Sequence, residues 1–265
     1  MADAGRSYDV IIVGGGPIGL TLALSLTRFM SGIRIAVVDR REVSVPSDAR
    51  ASALSAGVRR IFDTLGLWPA LERDAQPVLK MKITDSGEGD IARPLFLSFA
   101  GDVAPGEPFA HMVPNTAIAA GLLHALAGQV DFVAPVEILG FSGDGNAGRL
   151  QLNDGRVLDA PLVVAADGQQ SSLRGMAGIK VVAHDYGQAG IVTTIGHELD
   201  HEGTAYEHFR PAGPFASLPL PGRRSSLVWT ETPAMAAQYK AMPLEAVAVS
   251  IEAVMGSSLG VVTVE

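Results

Sequence analysis

Hydrophobic and polar positions over the first forty residues fall into blocks that predict a strand, a helix and a second strand. Val10-Ile11-Ile12-Val13 is a continuous apolar run of strand length, and residues 33–38 form a second run. Between them apolar residues recur at helical spacing, on Ile18, Leu22 and Leu26, with Leu20 and Leu24 close by. Ser31-Gly32 is a plausible end for that helix.

The first strand and the helix are joined by Gly14-Gly15-Gly16-Pro17-Ile18-Gly19, a G-x-G-x-x-G pattern in the setting that dinucleotide binding requires. Gly14 permits a sharp turn, Gly16 removes a Cβ where a phosphate approaches the backbone, and Gly19 lets the helix pack close to the sheet. Asp39 ends the second strand about twenty residues after Gly19, where an acid accepts hydrogen bonds from a ribose diol and repels a 2′-phosphate. The pattern therefore predicts a tightly held FAD or NAD.

Three further polar residues are candidates for the site, and for two of them, Arg50 and Asp167, spacing alone leaves two interpretations open. Arg50 stands before a helix predicted over residues 52–68, and it either pairs with a pyrophosphate or is an ordinary surface arginine. Asn115 is explained as the N-cap of the helix that it begins. Asp167 follows a buried-type strand over residues 162–166, where it is either a ribose or phosphate ligand or part of a simple turn.

The rest of the chain consists mostly of short strands separated by tight turns. A three-stranded antiparallel meander is predicted over residues 136–141, 149–152 and 156–159. Further strands are expected between residues 78 and 99 and over 191–195, 204–209, 215–218 and 226–230, followed by a helix over 244–254. We therefore predict an α/β fold with a Rossmann-like domain, containing a parallel sheet and a β-meander, plus a second domain built on an antiparallel sheet.

Composition narrows the function classes. The 265 residues carry a net charge of −8 and show no basic stripe, which argues against a nucleic-acid partner. The absence of cysteine excludes disulfide scaffolds, thiolate metal sites and dithiol redox chemistry. The apolar region over residues 10–30 is broken by three glycines and Pro17, so we do not expect a membrane span or a signal peptide there.

His197-Glu198-Leu199-Asp200-His201 matches the H-E-x-x-H pattern of zinc hydrolases, but its surroundings do not fit a metal-binding helix. Glycines lie on both sides of the motif, and strand-like alternation flanks it. In an extended chain, residues four apart lie about 13 Å from each other and cannot share one zinc ion. We therefore favour a solvated turn between strands and expect no metal site.

Taken together, several segments resemble the FAD-dependent aromatic hydroxylases of ubiquinone biosynthesis, within the flavoprotein monooxygenases that include para-hydroxybenzoate hydroxylase. The segments are GGGPIGL (14–20), VVDR (37–40), DARASALSAGVRRIFDTLGLW (48–68) and VVAADGQQSSLR (163–174). Stretches near residues 186–188, 217–221 and 227–230 are also similar to that branch.

The resemblance implies a role for each candidate residue. Gly14, Gly16 and Gly19 would hold the FAD pyrophosphate, and Asp39 would hold the adenosine ribose. Arg50 would pair with the pyrophosphate, Asn115 would lie near the cofactor, and Asp167 with Gly168 matches a motif associated with FAD and NADPH binding. The resemblance also implies a discontinuous FAD-binding domain over 1–78 and 105–185, and an incomplete substrate-binding domain over 79–104 and 186–265.

The resemblance implies that the protein hydroxylates an aromatic ring with NAD(P)H and O2. The substrate of the family is a polyprenylated phenol. The sequence does not identify a catalytic side chain. The alternative is a non-catalytic or other FAD/NAD-binding module. A cytoplasmic protein is expected, and peripheral contact with the inner membrane and a homo-oligomer are left open. The family has a further Gly-Asp motif well after the second sheet, and we do not find it in this sequence. The pairs Gly89-Asp90, Gly101-Asp102 and Gly143-Asp144 lie in loops at other positions. We therefore expect a shortened chain with weakened FAD binding and catalysis.

Overall fold

A computed structural model describes residues 6–48, 50–87 and 94–265. Two segments of the predictions, Gly89-Asp90 and part of the strand region between residues 78 and 99, lie outside the described residues. The described helices are α1 Pro17–Phe29, α2 Ala56–Thr64, α3 Trp68–Leu71, α4 Asn115–Leu126, α5 Ser172–Met176, α6 Pro233–Ala241 and α7 Leu244–Met255, with 3-10 turns at Glu72–Asp74 and Gly256–Leu259.

The described strands run from β1 to β20 in chain order. They are β1 Arg6–Ser7, β2 Val10–Val13, β3 Ile35–Val38, β4 Ala51–Ser55, β5 Gln76–Val78, β6 Lys80–Asp85, β7 Leu95–Ala100, β8 Asp102–Ala104, β9 Glu107–Pro108, β10 Ala110–Pro114, β11 Asp131–Val133, β12 Ile138–Gly143, β13 Gly148–Leu152, β14 Val157–Ala160, β15 Leu162–Ala165, β16 Ala189–His197, β17 Thr204–Phe209, β18 Phe215–Leu220, β19 Arg224–Glu231 and β20 Val262–Val264.

The chain divides into two compact units, Met1–Pro46 with Ile118–Ala183, and Ser47–Ala117 with His184–Glu265. This division follows compactness alone, so the functional domain boundaries given above stay a prediction.

The first unit contains the parallel sheet and the meander that the sequence predicts. Strands pair in the order β11-β3-β2-β15, and every pairing is parallel. The meander has the order β1-β14-β13-β12, with antiparallel pairing among its last three strands. Buried side chains of both sheets, among them Ile11, Val38, Leu150 and Leu158, form one core. The predicted buried strand, β15, is instead a sheet edge, and its Leu162 is 52% exposed.

Helix α1 buries a different face from the one predicted. The residues that face the core are Gly19, Leu20, Ala23 and Leu24, whereas Ile18 is 76% exposed. The reason is local: a Cβ on Gly19 would lie 2.0 Å from the carbonyl oxygen of Gly14. Gly19 therefore has to face the turn and the sheet, and the residues one turn later follow it onto that face.

The second unit contains a seven-stranded sheet of order β20-β16-β19-β18-β17-β6-β7, which is antiparallel except between β17 and β6. This confirms the predicted antiparallel sheet. Its core packs around Trp229, which is fully buried, and includes Ile195, Phe215 and Ile251 of α7. Helix α6, which the sequence analysis did not predict, begins at Pro233 after Thr232, whose hydroxyl accepts a hydrogen bond from the Met235 N–H.

The helix predicted over residues 52–68 begins later than expected. Residues Ala51–Ser55 form β4, the edge strand of a three-stranded sheet of order β4-β10-β5. Ser55 is the N-cap of α2, and its hydroxyl accepts from the Val58 N–H. Ala51–Ser55 contains alanine and leucine, which favour a helix, so pairing with β10 overrides the intrinsic preference of the segment and decides its conformation.

Candidate cofactor site

The glycine turn between β2 and α1 is possible only with glycine at two of its positions. Gly14 has a φ of +118°, and a Cβ there would lie 2.2 Å from the carbonyl oxygen of Ala166. Gly19 allows the close approach described above. Both residues therefore bring the first turn of α1 against the ends of the parallel strands.

Gly16 is different because the protein itself does not require it. It is the N-cap of α1 with a φ of −81°, which any residue adopts, and a Cβ there would meet no atom of the described residues within 4 Å. Among the residues that the structure describes, no side chain caps the first turn of α1. The helix therefore presents uncapped N-terminal amides beside open space, which is the arrangement that binds anions at helix N-termini.

Asp39 lies directly after β3 and contacts the same turn. Its Oδ2 accepts a hydrogen bond from the Gly15 N–H at 2.8 Å, and its Oδ1 accepts from the Arg41 N–H at 2.8 Å. The strand end thus places a carboxylate beside the glycine turn, as the spacing predicts.

Asp167 follows β15, the strand that pairs with the other edge of β2. Its Oδ2 accepts from the Leu173 N–H at 3.3 Å, while its Oδ1 is buried and has no hydrogen-bond partner among the described residues. Burial raises the pKa of Asp167, but hydrogen bonding by Ser171 and by the Leu173 N–H outweighs this effect, so the net shift is downward. The group is therefore an anion with one unsatisfied oxygen.

One cavity of about 270 Å³ in the first unit joins these residues. Gly14, Gly16, Asp39 and Asp167 all line it. Arg40 and Arg41 line it as well, although no role was predicted for them from the sequence. Their position directly after the acid at the end of β3 was the available signal, because side chains at this edge of a parallel sheet face the ligand crevice.

Arg50 and Asn115 lie in the second unit, where both contact Asp48. The Arg50 Nε and Nη2 atoms each lie 2.8 Å from an Asp48 carboxylate oxygen, and Asn115 Nδ2 donates to Asp48 Oδ2 at 3.2 Å. Asn115 Oδ1 accepts from the Ser52 hydroxyl at 2.7 Å. Both ends of the Asn115 amide are therefore engaged away from the helix terminus, and the expected N-cap role is wrong.

We expected His197 and His201 to lie in a solvated turn, and this expectation is wrong. Their side chains are buried, at 7% and 5% exposed, and their ring centroids lie 5.6 Å apart. His197 contacts the Leu199 carbonyl and the Ser225 hydroxyl. The Gly203 N–H donates to His201 Nδ1 at 2.9 Å, so His201 Nε2 carries the proton and donates to the Leu220 carbonyl at 2.8 Å. These four contacts give both rings a structural role.

In the described ranges no group of three or more His, Cys, Asp or Glu side chains is placed to hold a metal ion. Among the described helices, none is long and apolar enough to cross a membrane.

Comparison with known proteins identifies the family. Residues 7–256 match the profile of the FAD binding domain family. The chain is 39% identical over 263 residues to the ubiquinone hydroxylase UbiL of Rhodospirillum rubrum, with 97% of this chain and 59% of the relative covered. It is 31% identical over 264 residues to the 3-demethoxyubiquinol 3-hydroxylase of Escherichia coli, with 96% and 65% covered.

Among solved structures, PqsL of Pseudomonas aeruginosa in complex with 2-aminobenzoylacetate superposes with a TM-score of 0.78 at 21% identity, covering 98% of this chain and 73% of that one. This likeness confirms the fold class. The chain spans about three fifths of the length of the two curated relatives. It belongs to the FAD-binding domain family, and FAD is the cofactor of that family.

Proposed function

We propose that this chain, as a member of the FAD-binding domain family, functions in a monooxygenase. The enzyme hydroxylates the aromatic ring of a phenol that carries a polyprenyl tail. The overall reaction consumes NAD(P)H, a proton and O2, places one oxygen atom on the ring, and releases the other as water with NAD(P)+. FAD, when bound, supplies the hydride acceptance and the oxygen transfer. The names of the two curated relatives, both ubiquinone or ubiquinol hydroxylases, support this substrate class.

The observation that carries the cofactor part of the proposal is the open space at Gly16. Gly14 and Gly19 are explained by contacts within the protein, but the missing Cβ of Gly16 is not, since in the described part of the chain no atom lies within 4 Å of that position. A pyrophosphate at the first turn of α1 explains it and would receive the uncapped amides. We assign Gly14, Gly16 and Gly19 to this diphosphate-binding turn.

The acids of the cavity complete the proposed cofactor contacts. We assign Asp39 to the adenosine ribose, whose hydroxyls can donate to its carboxylate. Asp167 has a buried oxygen without a partner in the described part of the chain, and a hydroxyl of the cofactor would satisfy it. Arg50 and Asn115 are assigned to the cofactor on the resemblance, Arg50 to its pyrophosphate.

The decisive experiment measures cofactor content and turnover in the purified protein. We expect a flavin absorbance spectrum, release of FAD on denaturation, and NAD(P)H oxidation that a prenylated phenol stimulates. FAD binding without substrate-stimulated oxidation would favour a non-catalytic nucleotide-binding module. Absence of flavin after incubation with excess FAD would reject the cofactor assignment for this chain.

We further propose peripheral contact with the inner membrane, where a polyprenylated substrate resides. Strand β7 supports this, because its Leu95, Phe96, Leu97 and Phe99 are 41–70% exposed at the edge of the seven-stranded sheet. Flotation with phospholipid vesicles should recover the protein, and the Phe96→Ser/Phe99→Ser variant should float less. Equal flotation of both would reject a role for β7, and a homo-oligomer stays a prediction for sedimentation analysis.

A further inference from the structure

Asp48 is the centre of a hydrogen-bond network that connects two residues assigned to the cofactor. It accepts from the Arg50 backbone N–H at 2.9 Å and from the Arg50 Nε at 2.8 Å, both through Oδ1. Its Oδ2 accepts from Arg50 Nη2 at 2.8 Å and from Asn115 Nδ2 at 3.2 Å. The Asn115 N–H also donates to the Arg50 carbonyl at 3.0 Å. One carboxylate therefore fixes both the backbone and the side chain of Arg50.

The pairing leaves one edge of the Arg50 guanidinium available. Asp48 occupies the Nε edge, and Nη1 has no partner among the described residues. The Arg50 side chain is 66% exposed, whereas that of Asp48 is 14% exposed. A guanidinium held on one edge presents its other N–H groups in a fixed fork, which matches the spacing of two phosphate oxygens.

We propose that Asp48 is a positioning residue that holds the free edge of Arg50 in a fixed orientation for binding a phosphate group. The inference rests on the proposed function, which identifies the phosphate as the pyrophosphate of FAD. The Arg50 guanidinium holds the pKa of Asp48 well below its usual range, so this carboxylate stays charged at any working pH. Asp48 acts through Arg50 and does not itself contact the cofactor.

The proposal can be tested because positioning and simple charge repulsion predict opposite changes in FAD affinity when the Asp48 carboxylate is removed. Removing a carboxylate near a phosphate reduces repulsion and should strengthen FAD binding. Loss of orientation should weaken it, because the flexible arginine must then be ordered on binding. We expect Asp48→Asn to raise the Kd for FAD about tenfold, measured by quenching of flavin fluorescence. An unchanged or lower Kd would overturn the proposal.

A double-mutant cycle separates positioning from a general structural effect. In the Arg50→Ala background, Asp48→Asn should change the FAD Kd by less than about twofold, because the residue through which Asp48 acts is gone. A tenfold effect in both backgrounds would show that Asp48 acts on the fold instead, and would also overturn the proposal.

Asp154 provides a matched control, because it makes the same contacts with an arginine two residues later. It accepts from the Arg156 N–H at 3.0 Å and from the Arg156 Nε at 2.7 Å, in a turn of the meander. Asp154→Asn should leave the FAD Kd unchanged. If the wild-type protein does not bind FAD, the proposed function fails together with this inference; if it binds FAD and Asp48→Asn binds equally well, only the inference fails.

Discussion

The Asp39 carboxylate accepts a 2.8 Å hydrogen bond from the backbone N–H of Gly15, which ties the end of β3 to the glycine turn. Its second oxygen accepts from the Arg41 N–H at the same distance. Asp39 therefore shapes the turn in addition to facing the cavity in which we propose a ribose. The spacing in the sequence predicted only the ribose-binding role. The turn-shaping role was not predictable, because hydrogen bonds from backbone amides to a carboxylate leave no pattern in the sequence.

Replacing Asp39 with alanine should weaken both the fold and cofactor binding. The Gly15 and Arg41 amides lose a charged acceptor, which costs about 1–3 kcal/mol of unfolding free energy if they are left without a partner. Urea unfolding measures this loss, and FAD titration should show a raised Kd. As a control, Asp144→Ala removes a carboxylate that accepts from the Asn146 and Ala147 amides of its own turn, and it should leave the Kd unchanged. If Asp39→Ala and the wild type unfold with the same urea midpoint, the prediction is contradicted.

The glycines of the turn should separate into two classes when each is changed to alanine. Gly14→Ala combines a φ of +118° with a 2.2 Å approach to Ala166, so it should lower the unfolding temperature strongly. Gly16→Ala should unfold like the wild type yet raise the FAD Kd, because its Cβ would occupy only open space next to the proposed phosphate.

A glycine in α2 serves as the control for this pair. Of the described atoms, a Cβ on Gly57 would meet only the Ser55 hydroxyl, at 3.8 Å, so Gly57→Ala should neither destabilise the protein nor change the FAD Kd. If Gly16→Ala binds FAD as tightly as Gly57→Ala does, the diphosphate does not lie at Gly16.

The β-α-β unit was predictable because its strand, turn and helix are contiguous in the chain. The buried face of α1 was not, because its apolar residues surround most of the helix, so periodicity could not choose between Ile18 and Leu20. The close contact between Gly19 and Gly14 makes that choice, and it depends on backbone geometry that a hydropathy pattern does not contain.

Contacts between distant segments account for the other differences. The Ser52–Asn115 and Asp48–Asn115 hydrogen bonds join residues more than sixty positions apart, so the N-cap interpretation could not anticipate them. The Asp48–Arg50 pair, in contrast, had a local signal, since the aspartate stands two positions before the arginine. His197 and His201 come together because the chain reverses between them, whereas the spacing argument assumed an extended segment.

Arg210 and Glu231 form a buried ion pair in the second unit, and removing its negative partner should be costly. Their side chains are 6% and 7% exposed, their closest atoms are 2.9 Å apart, and Trp229 Nε1 donates to the same carboxylate. Glu231→Gln should lower the unfolding free energy by about 3–5 kcal/mol, because removing the charge of one partner from a buried ion pair is strongly destabilising. Urea denaturation measures the change.

The exposed pair between Arg224 and Glu265 in the same unit provides the comparison. Its side chains are 49% and 44% exposed, so Glu265→Gln should change the unfolding free energy by at most about 1 kcal/mol. Equal losses for the two glutamine variants would show that burial does not determine the contribution of Glu231.

His111 should make the stability of the protein depend on pH near neutrality. Burial lowers the pKa of His111, the Arg59 charge lowers it further, and Glu72 and Glu107 partly oppose these effects. The unfolded chain takes up the proton at about pH 6.5, before the folded protein does. The stability contributed by the neutral ring is therefore complete above that pH and is lost as the pH falls from about 6.5 towards the lower folded pKa.

The His111→Phe variant isolates this contribution. Phenylalanine keeps an aromatic ring beside Trp68, whose ring centroid lies 5.0 Å from that of His111, and it removes the buried Nδ1 that has no partner in the described residues. Between pH 7.5 and 5.5 the wild type should lose more unfolding free energy than His111→Phe, measured by urea titration followed through tryptophan fluorescence. Parallel losses in both proteins would assign the pH dependence to other groups, because the variant has no imidazole to protonate at this position.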